Sequence, residues 1–446
     1  MKTELKQSAS EVSGVPAGAK QGTDIQAQRG WVEATVWNER MLAALGNGVK
    51  GGKWFSLSDK VSRPETLASA WRHVERNRGA SGVDGQSVAQ FGRHAQEYLE
   101  EVGAALKSGR YRPEAVRRVE LEQGAGKRRG LGIPTVKDRV VQTALKFVME
   151  PIFEREFVSA SYGFRPGRGC KDALREVDRL LKAGYVHVVD ADVANYFDSI
   201  PRTALMGRVR ERISDGSLLA LIEAFLSQDV MRGLERWRPT QGTPQGAVIS
   251  PLLANIYLHP LDVQLTEGGY QLVRYADDFV VLCRTAEEAH AALAEVAGWV
   301  KTNGLSLHPD KTHVGDCRRL GQGFDFLGYR FEAGRRRVRR KSLLALREKV
   351  RSKTSRLRGD SLACIIADLN SLLRGWFGYF KHAHRWDLGA VDGFIRRRLR
   401  AVLRRHEHRR GQGRCGADHQ RWPNAFFAAQ GLFTLLEAHA RASQSR

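Results

Sequence analysis

The chain has 446 residues, of which 42% are hydrophobic, so it is long enough for two or more domains and apolar enough for folded cores. With 72 Lys and Arg against 49 Asp and Glu, its formal net charge is +23, which favours nucleic acid over an anionic membrane surface as the partner. The chain contains no apolar run of membrane-spanning length, no N-terminal signal-peptide pattern and no Cys-x-x-Cys pair, and we therefore expect a cytoplasmic protein without disulfides or membrane spans.

The N-terminal part of the chain is rich in Gly, Ala, Ser and Gln and shows no sustained apolar periodicity. We therefore predict a flexible extension over residues 1–60. From Pro64 the pattern becomes helical, and this helix should end before Gly79. A turn at 82–85 leads to a second helix, which we predict for residues 88–107.

The middle of the chain mixes strands with helices. The β-branched and apolar run from 185 to 193 predicts a buried strand, and the run from 271 to 283 predicts a hairpin with a two-residue tip. Further elements are predicted as a strand at 117–121, a Gly/Lys/Arg turn at 124–132, and helices at 137–149, 202–228, 251–261 and 286–302. Helices mixed with a partly antiparallel sheet predict an α+β fold.

Beyond Gly334 the composition becomes strongly basic. Residues 335–358 contain twelve Lys or Arg and one acid, and residues 396–414 contain nine Arg and one acid. Apolar residues recur at helical spacing in the same region, which predicts a helical module with basic faces rather than a loose tail. Scattered charges usually form a solvated surface, but this density and one-sidedness favour nucleic-acid binding.

Two adjacent carboxylates, Asp277 and Asp278, lie at the predicted tip of the 271–283 hairpin. A polar turn is the simplest interpretation of acids at such a position. However, tight hairpin turns usually contain glycine, and this one has none. A hard divalent cation such as Mg²⁺ binds carboxylate oxygens and would remove the repulsion between the two acids. The hairpin is therefore a candidate metal site.

A second acid, Asp192, ends the strand predicted at 185–193. Such a strand places a carboxylate at the edge of its sheet. Two-metal phosphoryl transfer needs acids from two elements that converge on ions roughly 3.5–4 Å apart. The 85 residues that separate Asp192 from Asp277 leave room for a helical crossover between the two elements. Asp192, Asp277 and Asp278 are thus the candidate catalytic and metal-binding triad.

A series of short motifs runs through the chain in a fixed order. These are Gly-Val-Asp-Gly at 82–85, a Gly/Lys/Arg-rich segment at 126–142, Tyr-Gly-Phe-Arg-Pro-Gly-Arg at 162–168, the Asp192 segment, Gln-Gly-Thr-Pro-Gln-Gly at 241–246, Tyr-Ala-Asp-Asp at 275–278, Leu-Ser-Leu-His-Pro-Asp-Lys-Thr at 305–312 and Phe-Leu-Gly-Tyr at 326–329. In this order they resemble the reverse transcriptases encoded by group II introns, which are also intron maturases. The resemblance extends from about Pro64 to Gly431.

The resemblance implies a right-hand polymerase. Fingers and palm, with an antiparallel sheet, would occupy residues 64–330, and an α-helical thumb and maturase-specific domain would occupy residues 335–405. Residues 406–446 would form a C-terminal extension without an endonuclease domain, because this segment lacks the paired Cys-x-x-Cys that such a domain carries.

The resemblance also implies roles for individual residues. In the family, the acids that match Asp192, Asp277 and Asp278 bind two Mg²⁺ ions, helped by the backbone carbonyl at Val193. Phe197 matches a bulky residue that crowds the sugar 2′ position and so selects deoxynucleotides, whereas core packing is the ordinary role of such a side chain. The other residues assigned to the incoming nucleotide are Lys127, Arg129, Gln245 and Lys311. We assign RNA binding to Arg335, Arg336, Arg337, Arg339, Arg340, Lys341, Arg396, Arg397 and Arg398.

The implied activity is RNA-directed DNA synthesis from an RNA template, a DNA primer and deoxynucleoside triphosphates. The implied second activity is binding of the parent group II intron RNA, which would assist its splicing and its insertion into a DNA target. Two alternatives stay open: a relative recruited by its host for defence or DNA repair, and an RNA-binding splicing cofactor without polymerase activity. Intact Asp192, Asp277 and Asp278 favour an enzyme, because a pure cofactor has no need of metal ligands.

Overall fold

The computed structural model of the protein describes residues 31–49, 51–122, 128–357 and 359–444. Within these residues, every helix is too short or too polar to span a bilayer. The chain divides into two compact units. The first contains the residues up to 156 with 209–239 and 246–249, and the second contains 157–208, 240–245 and 250–446.

The described chain begins with helices that precede the first sheet. In order these are α1 (Glu39–Asn47), α2 (Ser58–Val61), α3 (Pro64–Asn77), α4 (Val88–Arg93) and α5 (Ala95–Lys107). Strands and helices then alternate as β1 (Val116–Glu122), β2 (Arg128–Ile133), α6 (Val136–Glu154), α7 (Cys170–Lys182), β3 (His187–Asp192), α8 (Tyr196–Ser199), α9 (Arg202–Arg212), α10 (Gly216–Leu226), β4 (Val230–Arg232) and β5 (Glu235–Trp237).

The second half of the described chain starts with a long helix and a hairpin and ends in helices. Its elements are α11 (Ser250–Glu267), β6 (Gln271–Tyr275), β7 (Asp278–Cys283), α12 (Ala286–Thr302), β8 (His313–Asp316), β9 (Phe324–Phe326), β10 (Tyr329–Glu332), β11 (Arg335–Val338), α13 (Arg340–Lys353), α14 (Leu362–Phe380), α15 (Arg385–His406), α16 (Gly416–Arg421), α17 (Asn424–Ala429) and α18 (Leu435–Gln444). The predicted α+β fold class is confirmed.

Most of the predicted elements are also confirmed. The helix from Pro64 ends at Asn77, α12 matches the predicted 286–302, and the hairpin has its two-residue tip at 276–277. The helix predicted for 88–107 is instead two helices, α4 and α5. They are separated at His94, whose backbone leaves the helical conformation with φ −127°.

Side-chain caps fix where several helices begin. Ser87 and Gln90 form a reciprocal capping box at α4. Thr135 accepts from the backbone N–H of Asp138 at 3.1 Å, and Thr285 caps α12 in the same way. Each cap satisfies a backbone N–H that the helix itself leaves unpaired, which stabilises a helix start by about 1 kcal/mol.

The first unit is built around a sheet in the strand order β2-β1-β4-β5, with α3 packed against α6. A buried polar cluster fixes α6. The Asp138 carboxylate accepts from the Tyr111 hydroxyl at 2.6 Å, the Glu114 N–H at 3.1 Å and the Gln228 amide at 3.3 Å. Burial raises the pKa of Asp138 to about 6 despite these donors.

The N-terminal extension is more ordered than its composition predicted. Trp37 is buried, donates from Nε1 to the Phe147 carbonyl at 2.9 Å and packs edge-on against Trp54 at 5.3 Å. Asn38 then caps α1. The segment from Trp37 to Asn47 is therefore a buried tryptophan followed by a capped helix rather than the flexible chain that was predicted, although the helix itself contributes no fully buried side chain. Residues 1–30 lie outside the described part of the chain.

The second unit contains the sheet that positions the candidate site. Its strands lie in the order β6-β7-β3-β8, and all neighbours are antiparallel. Helix α7 packs on β6, and α12 packs on β3 and β7. All β7 residues from Phe279 to Cys283 are buried, so both faces of this strand are covered.

The C-terminal part of the second unit is structurally continuous across the predicted boundaries. Strand β10 pairs with β11, so the boundary predicted between 330 and 335 falls inside one small sheet. Helices α13, α14 and α15 share a hydrophobic core with the segment predicted as a separate extension from 406. The members of this core include Leu346, Leu369, Leu373, Leu399, Trp422, Phe427 and Leu435. Burial of apolar side chains on both sides of residue 405 joins the two predicted parts into one domain.

Candidate active site and nucleic-acid interface

The predicted triad lies at one edge of the β6-β7-β3-β8 sheet. Asp192, the last residue of β3, pairs directly with Asp278, the first residue of β7. Directly paired residues on antiparallel strands have Cα atoms roughly 4.5–5.5 Å apart and side chains on the same face. Asp277 occupies the second position of the adjoining hairpin tip. The structure therefore brings all three predicted acids to one end of neighbouring strands.

Arg274, in the strand before the tip, is completely buried and holds the hairpin. Its guanidinium forms a two-point ion pair with Asp262 of α11, with Nε at 2.7 Å from Oδ1. Nη1 also donates to the Asn255 side chain at 2.9 Å and to the Ala276 carbonyl at 2.8 Å. Ala276 has a left-handed backbone with φ +60°, which is uncommon for alanine. The hydrogen bond from Arg274 helps to stabilise this conformation next to Asp277.

Gly163, in the Tyr-Gly-Phe motif, packs against the same tip. A Cβ atom at this position would lie 2.2 Å from the Ala276 nitrogen, so only glycine fits. Its carbonyl accepts from the Asn255 amide at 2.8 Å, and Tyr162 N donates to the Arg274 carbonyl at 2.8 Å. This explains why the motif is needed although it brings no acid to the site.

The electrostatics of the sheet edge favour a cation. Burial and the neighbouring charges of Asp190 and Asp277 raise the pKa of Asp278 to about 7. Burial raises the pKa of Asp190 to about 6, although His313 opposes the shift. Carboxylate oxygens are the donors that hard divalent cations prefer, and a bound cation would relieve the repulsion that these shifts express. The residues present therefore fit a divalent metal ion.

The chemistry of these donors suits a divalent cation, but their side chains do not have metal-binding geometry in this structure. Among the described residues, no three Asp, Glu, His or Cys side chains converge closely enough to hold an ion. Asp192 is instead paired with Lys311, whose Nζ lies 3.0 Å from Oδ2. Both side chains are about half exposed, so this pair is accessible to solvent and exchangeable.

A second set of contacts supports Asp278 from the other side, and sequence reasoning missed it. The nearby backbone of Leu327 lowers the pKa of Asp278, against the upward shift that burial and the neighbouring acids cause. The carbonyl of the same residue accepts from the Tyr379 hydroxyl of α14 at 2.8 Å, and its φ is +46°. Burial and the neighbouring Cys170 thiol raise the pKa of Tyr275 and of Tyr379. The motif at 326–329 marks Leu327, but its sequence gives no sign of the contact with α14.

The predicted nucleotide-binding residues have different placements. Phe197 is buried, and its carbonyl accepts from Thr243 N at 2.7 Å, which fixes the 241–246 loop against α8. Gln245 is half-buried in that loop. Val193, the predicted carbonyl ligand, is buried directly after β3 and bridges to Leu307. Lys127 lies outside the described residues, and Arg129 is placed by its backbone alone, in β2 opposite Leu121.

Several of the arginines predicted to bind RNA already have protein partners. Arg336 pairs with Asp178 and lies 4.1 Å from the centre of the Tyr329 ring, so it joins the sheet to α7. Arg337 pairs with the buried Asp387 at 2.7 Å, and Arg339 pairs with Asp325 at 2.8 Å. Arg335, Arg340 and Lys341 are exposed.

The arginines on α15 also divide into those with partners inside the protein and those that are more exposed. Arg398 donates to the Thr354 hydroxyl at 3.0 Å and the Thr354 carbonyl at 2.7 Å, so it closes the end of α13. Arg397 lies over the half-buried Phe394 ring at 5.3 Å, beside Arg347 and Arg351 over the same ring. Arg396 is partly exposed. The surface around Phe394 is therefore strongly positive.

Two protein-family models match the chain. Residues 119–331 match the reverse transcriptase (RNA-dependent DNA polymerase) family, and residues 343–422 match the maturase-specific domain of group II introns. The first match contains the whole candidate triad, and the second contains the positive surface around Phe394. The fold and the site thus define a reverse transcriptase joined to a maturase domain.

Curated proteins with similar sequences agree with this class. Protein YkfC of Escherichia coli is 34% identical over 312 residues, which cover 60% of this chain and 81% of YkfC. The group II intron-encoded protein LtrA of Lactococcus lactis is 36% identical over 203 residues, 45% of this chain but 33% of LtrA. The chain therefore spans about a third of LtrA.

Two solved structures show weaker likeness. A partial Cas6-RT-Cas1–Cas2 complex is 26% identical with a TM-score of 0.37, covering 55% of this chain and 42% of that one. Telomerase from Candida albicans is 13% identical with a TM-score of 0.39, covering 71% and 64%. The sequence matches are decisive: the chain belongs to the group II intron-encoded reverse transcriptases with a maturase domain, and its enzyme class is RNA-directed DNA polymerase.

Proposed function

We propose that the protein synthesises DNA on an RNA template with two Mg²⁺ ions held by Asp192, Asp277 and Asp278. The observation that carries this proposal is the direct pairing of Asp192 with Asp278 beside the tip that bears Asp277. Acids from two strands at one sheet edge are the arrangement that two-metal nucleotidyl transfer needs. When bound, the ions would lower the pKa of the primer 3′-hydroxyl and neutralise the nucleotide phosphates.

The chain's own residues would hold and orient the reactants. Asp192 would hold the cations in place of its contact with Lys311, and the Val193 carbonyl would supply a further oxygen ligand. Lys311 would then be able to contact the departing pyrophosphate. Its 3.0 Å contact with Asp192 supports this exchange, because it shows that the ammonium reaches the triad.

The nucleotide would be selected by the segment around α8. Phe197 would restrict the space at the sugar 2′ position, and Gln245 would shape the pocket from the 241–246 loop. The hydrogen bond from Thr243 N to the Phe197 carbonyl supports this role, because it ties the loop to the residue that would act as the gate. Lys127 and Arg129 complete the proposed set as contacts to the triphosphate.

We further propose that the protein binds its parent group II intron RNA, assists its splicing and inserts DNA copies at a DNA target. The match to the maturase-specific domain and the positive surface around Phe394 support this second role. Arg396 and Arg397 are the predicted RNA-binding residues that best suit it. Their charges are not neutralised by an ion pair among the described contacts, unlike those of Arg336 and Arg337.

A matched pair of variants tests the triad. Asp192→Asn and Asp190→Asn each remove one carboxylate from the same face of β3, two residues apart. In primer extension on RNA with Mg²⁺, we expect Asp192→Asn and Asp277→Ala to abolish synthesis, whereas Asp190→Asn retains a measurable rate. RNA affinity, measured on the same proteins, should stay close to that of the wild type.

Full synthesis by Asp192→Asn or Asp277→Ala would refute the triad. A protein that binds RNA but makes no DNA under any divalent metal would be a splicing cofactor. A host-recruited enzyme would show the same chemistry without an intron, so an intron RNA structure that encloses the coding sequence would exclude that alternative.

A further inference from the structure

A pocket of about 320 Å³ lies where α15 meets the C-terminal segment, and its lining is mainly cationic. Arg396, Arg397 and Arg400 line it from α15, and Arg414, His419 and Asn424 line it from the segment that follows. The described residues that line it include no Asp or Glu. Gly393 forms part of the wall, and its missing side chain leaves that side open.

The guanidinium of Arg400 is held in place at the bottom of this pocket. Arg400 is only 2% exposed. Its Nε donates to the Trp422 carbonyl at 2.9 Å, and Nη2 donates to the Asn424 side chain at 3.1 Å. The same guanidinium lies 5.4 Å from the centre of the Phe427 ring. A fixed cation loses little conformational entropy when a ligand binds, so the pocket is preorganised.

The loop that carries Arg414 is also fixed. Gly413 has φ +71°, and a Cβ atom there would lie 2.7 Å from the Ala401 nitrogen and 2.8 Å from the Arg397 carbonyl. Only glycine allows the loop to approach α15 this closely. The close approach places the Arg414 side chain beside the arginines of the helix.

Positive charges in the pocket repel one another. Burial, followed by the charges of Arg414, Arg351 and Arg347, lowers the pKa of Arg397. The nearby acids have other close partners: Asp418 pairs with Arg404 at 2.6 Å, and Asp392 accepts from the N–H groups of Leu435 and Leu436 at 3.0 Å. Their charges still reach Arg400 and Arg396, so they offset part of the repulsion. A bound anion would therefore stabilise this part of the fold by offsetting the repulsion.

We propose that this pocket binds a backbone phosphate of nucleic acid, supplied by RNA. Guanidinium groups match the oxygens of a phosphate in a planar, two-point manner, and several of them line this pocket together with no Asp or Glu in the lining. The inference rests on the proposed RNA binding and locates it. It also adds Arg400, Arg414 and His419, to which the sequence analysis assigned no role.

Inorganic phosphate is the first probe. The thermal unfolding midpoint of the full chain is measured in phosphate and in chloride at equal ionic strength, because a ligand that binds the folded state raises the midpoint. We expect phosphate to raise the midpoint of the wild type and of Arg410→Gln. The double variant Arg397→Gln/Arg414→Gln should lose this rise. Arg410 is exposed and outside the pocket, so its variant controls for the loss of positive charge.

Binding measurements with single-stranded RNA and single-stranded DNA of the same sequence then test whether the phosphate comes from RNA or from DNA. For each, log affinity is plotted against log salt concentration. Loss of one phosphate contact should lower the slope by about 0.7 and weaken binding roughly threefold to tenfold near physiological salt. We expect this change for RNA in the double variant and no change in Arg410→Gln.

If phosphate raised the unfolding midpoint equally in all three proteins, the proposed phosphate site would be wrong. It would also be wrong if the salt slope for RNA were the same in the double variant as in the wild type. A slope that changes for DNA alone would overturn RNA as the source. If the wild type does not bind RNA at all, the proposed RNA binding fails instead, and the phosphate shift still decides whether the pocket takes an anion.

Discussion

Arg274 is a charged residue that is fully buried in the hairpin carrying Asp277 and Asp278. A strand position in a protein interior is usually apolar. Its two-point pair with Asp262 satisfies the charge, and its Nη1 links Asn255 to the Ala276 carbonyl. Removing one partner of a buried ion pair leaves an uncompensated charge, which costs about 3–5 kcal/mol. The residue therefore couples the stability of the hairpin to the position of Asp277.

We expect Arg274→Met to destabilise the protein by about 3–5 kcal/mol in urea unfolding and to reduce DNA synthesis strongly. The double variant Arg274→Met/Asp262→Leu should recover much of the stability, because an apolar pair of similar volume replaces the buried ions. It should not recover synthesis, because the Ala276 carbonyl still lacks its donor. Primer extension at saturating substrate measures this difference.

Restored synthesis in the double variant would show that Arg274 only fills the core. Arg274→Lys is a useful intermediate. It keeps the charge but loses the forked geometry, so it should retain more stability than Arg274→Met and less synthesis than the wild type.

Phe197 combines two roles, since it is 8% exposed and also the predicted gate. We expect Phe197→Ala to raise the incorporation of ribonucleotides relative to deoxynucleotides, because the smaller side chain leaves space for a 2′-hydroxyl. Competition between the two nucleotide types in primer extension measures the ratio. The loss of buried volume should also cost about 3–5 kcal/mol of stability.

The stability cost needs its own control. Tyr196→Phe removes the hydroxyl that donates to the Ala254 carbonyl at 2.6 Å in the adjacent position, and it should lower stability without changing the sugar preference. A Phe197→Ala variant with the sugar preference of the wild type would limit Phe197 to core packing.

At the scale of elements, α14 is linked through Leu327 to the sheet edge that carries the candidate triad. The Leu327 backbone lowers the pKa of Asp278, and the Leu327 carbonyl accepts from the Tyr379 hydroxyl on α14 at 2.8 Å. Because the left-handed conformation of Leu327 is unfavourable for a leucine, the hydrogen bond from Tyr379 helps to hold this residue in place. Helix α14 thus takes part in orienting a proposed metal ligand.

We expect Tyr379→Phe to raise the Mg²⁺ concentration needed for half-maximal synthesis several-fold, because the Leu327 carbonyl loses its donor and the backbone beside Asp278 is held less firmly. Global stability should fall by only about 1 kcal/mol, the usual value of one hydrogen bond. Metal titrations of primer extension and urea unfolding provide the two measurements.

Tyr329→Phe is the matched control for this prediction. Its hydroxyl donates to the Tyr379 carbonyl at 2.6 Å, so the variant loses a hydrogen bond in the same cluster without touching Leu327. Similar metal dependence in the two variants would contradict a specific role of Tyr379.

At the scale of the whole molecule, local sequence patterns predicted those helices, strands and turns whose conformation depends on residues close together in the chain. The hairpin with its two-residue tip, the strand that ends at Asp192 and the helix over 286–302 all follow from periodicity and turn residues. The convergence of Asp192 with Asp277 and Asp278 was predicted because two-metal chemistry needs acids from two elements, whereas the register that pairs Asp192 with Asp278 was found in the structure. These predictions agree with the structure because the burial pattern and the backbone preferences of these residues favour the same local conformation.

Contacts between distant segments were not predictable in this way. Trp37 donates a hydrogen bond to the Phe147 carbonyl, 110 residues away in the sequence, and Tyr379 donates one to the Leu327 carbonyl, 52 residues away. Arg398 had the same sequence signature as its two neighbours, but helical rotation turns it towards Thr354. The position of each arginine around the helix decides whether it contacts the rest of the protein or stays available to a partner. A count of charges in the sequence does not contain this information.

The salt dependence of RNA binding tests that division of the basic run. The net charge of +23 attracts any polyanion, but the salt slope counts the phosphates actually contacted. We expect Arg396→Gln/Arg397→Gln to weaken RNA binding and to lower the slope by about 0.7–0.9 for each lost contact. Arg398→Gln should leave the slope unchanged and lower the free energy of unfolding instead, because Thr354 loses its donors. A wild-type salt slope in Arg396→Gln/Arg397→Gln would show that these two arginines are solvated and contact no phosphate. A reduced slope in Arg398→Gln would show that this side chain leaves α13 when RNA binds.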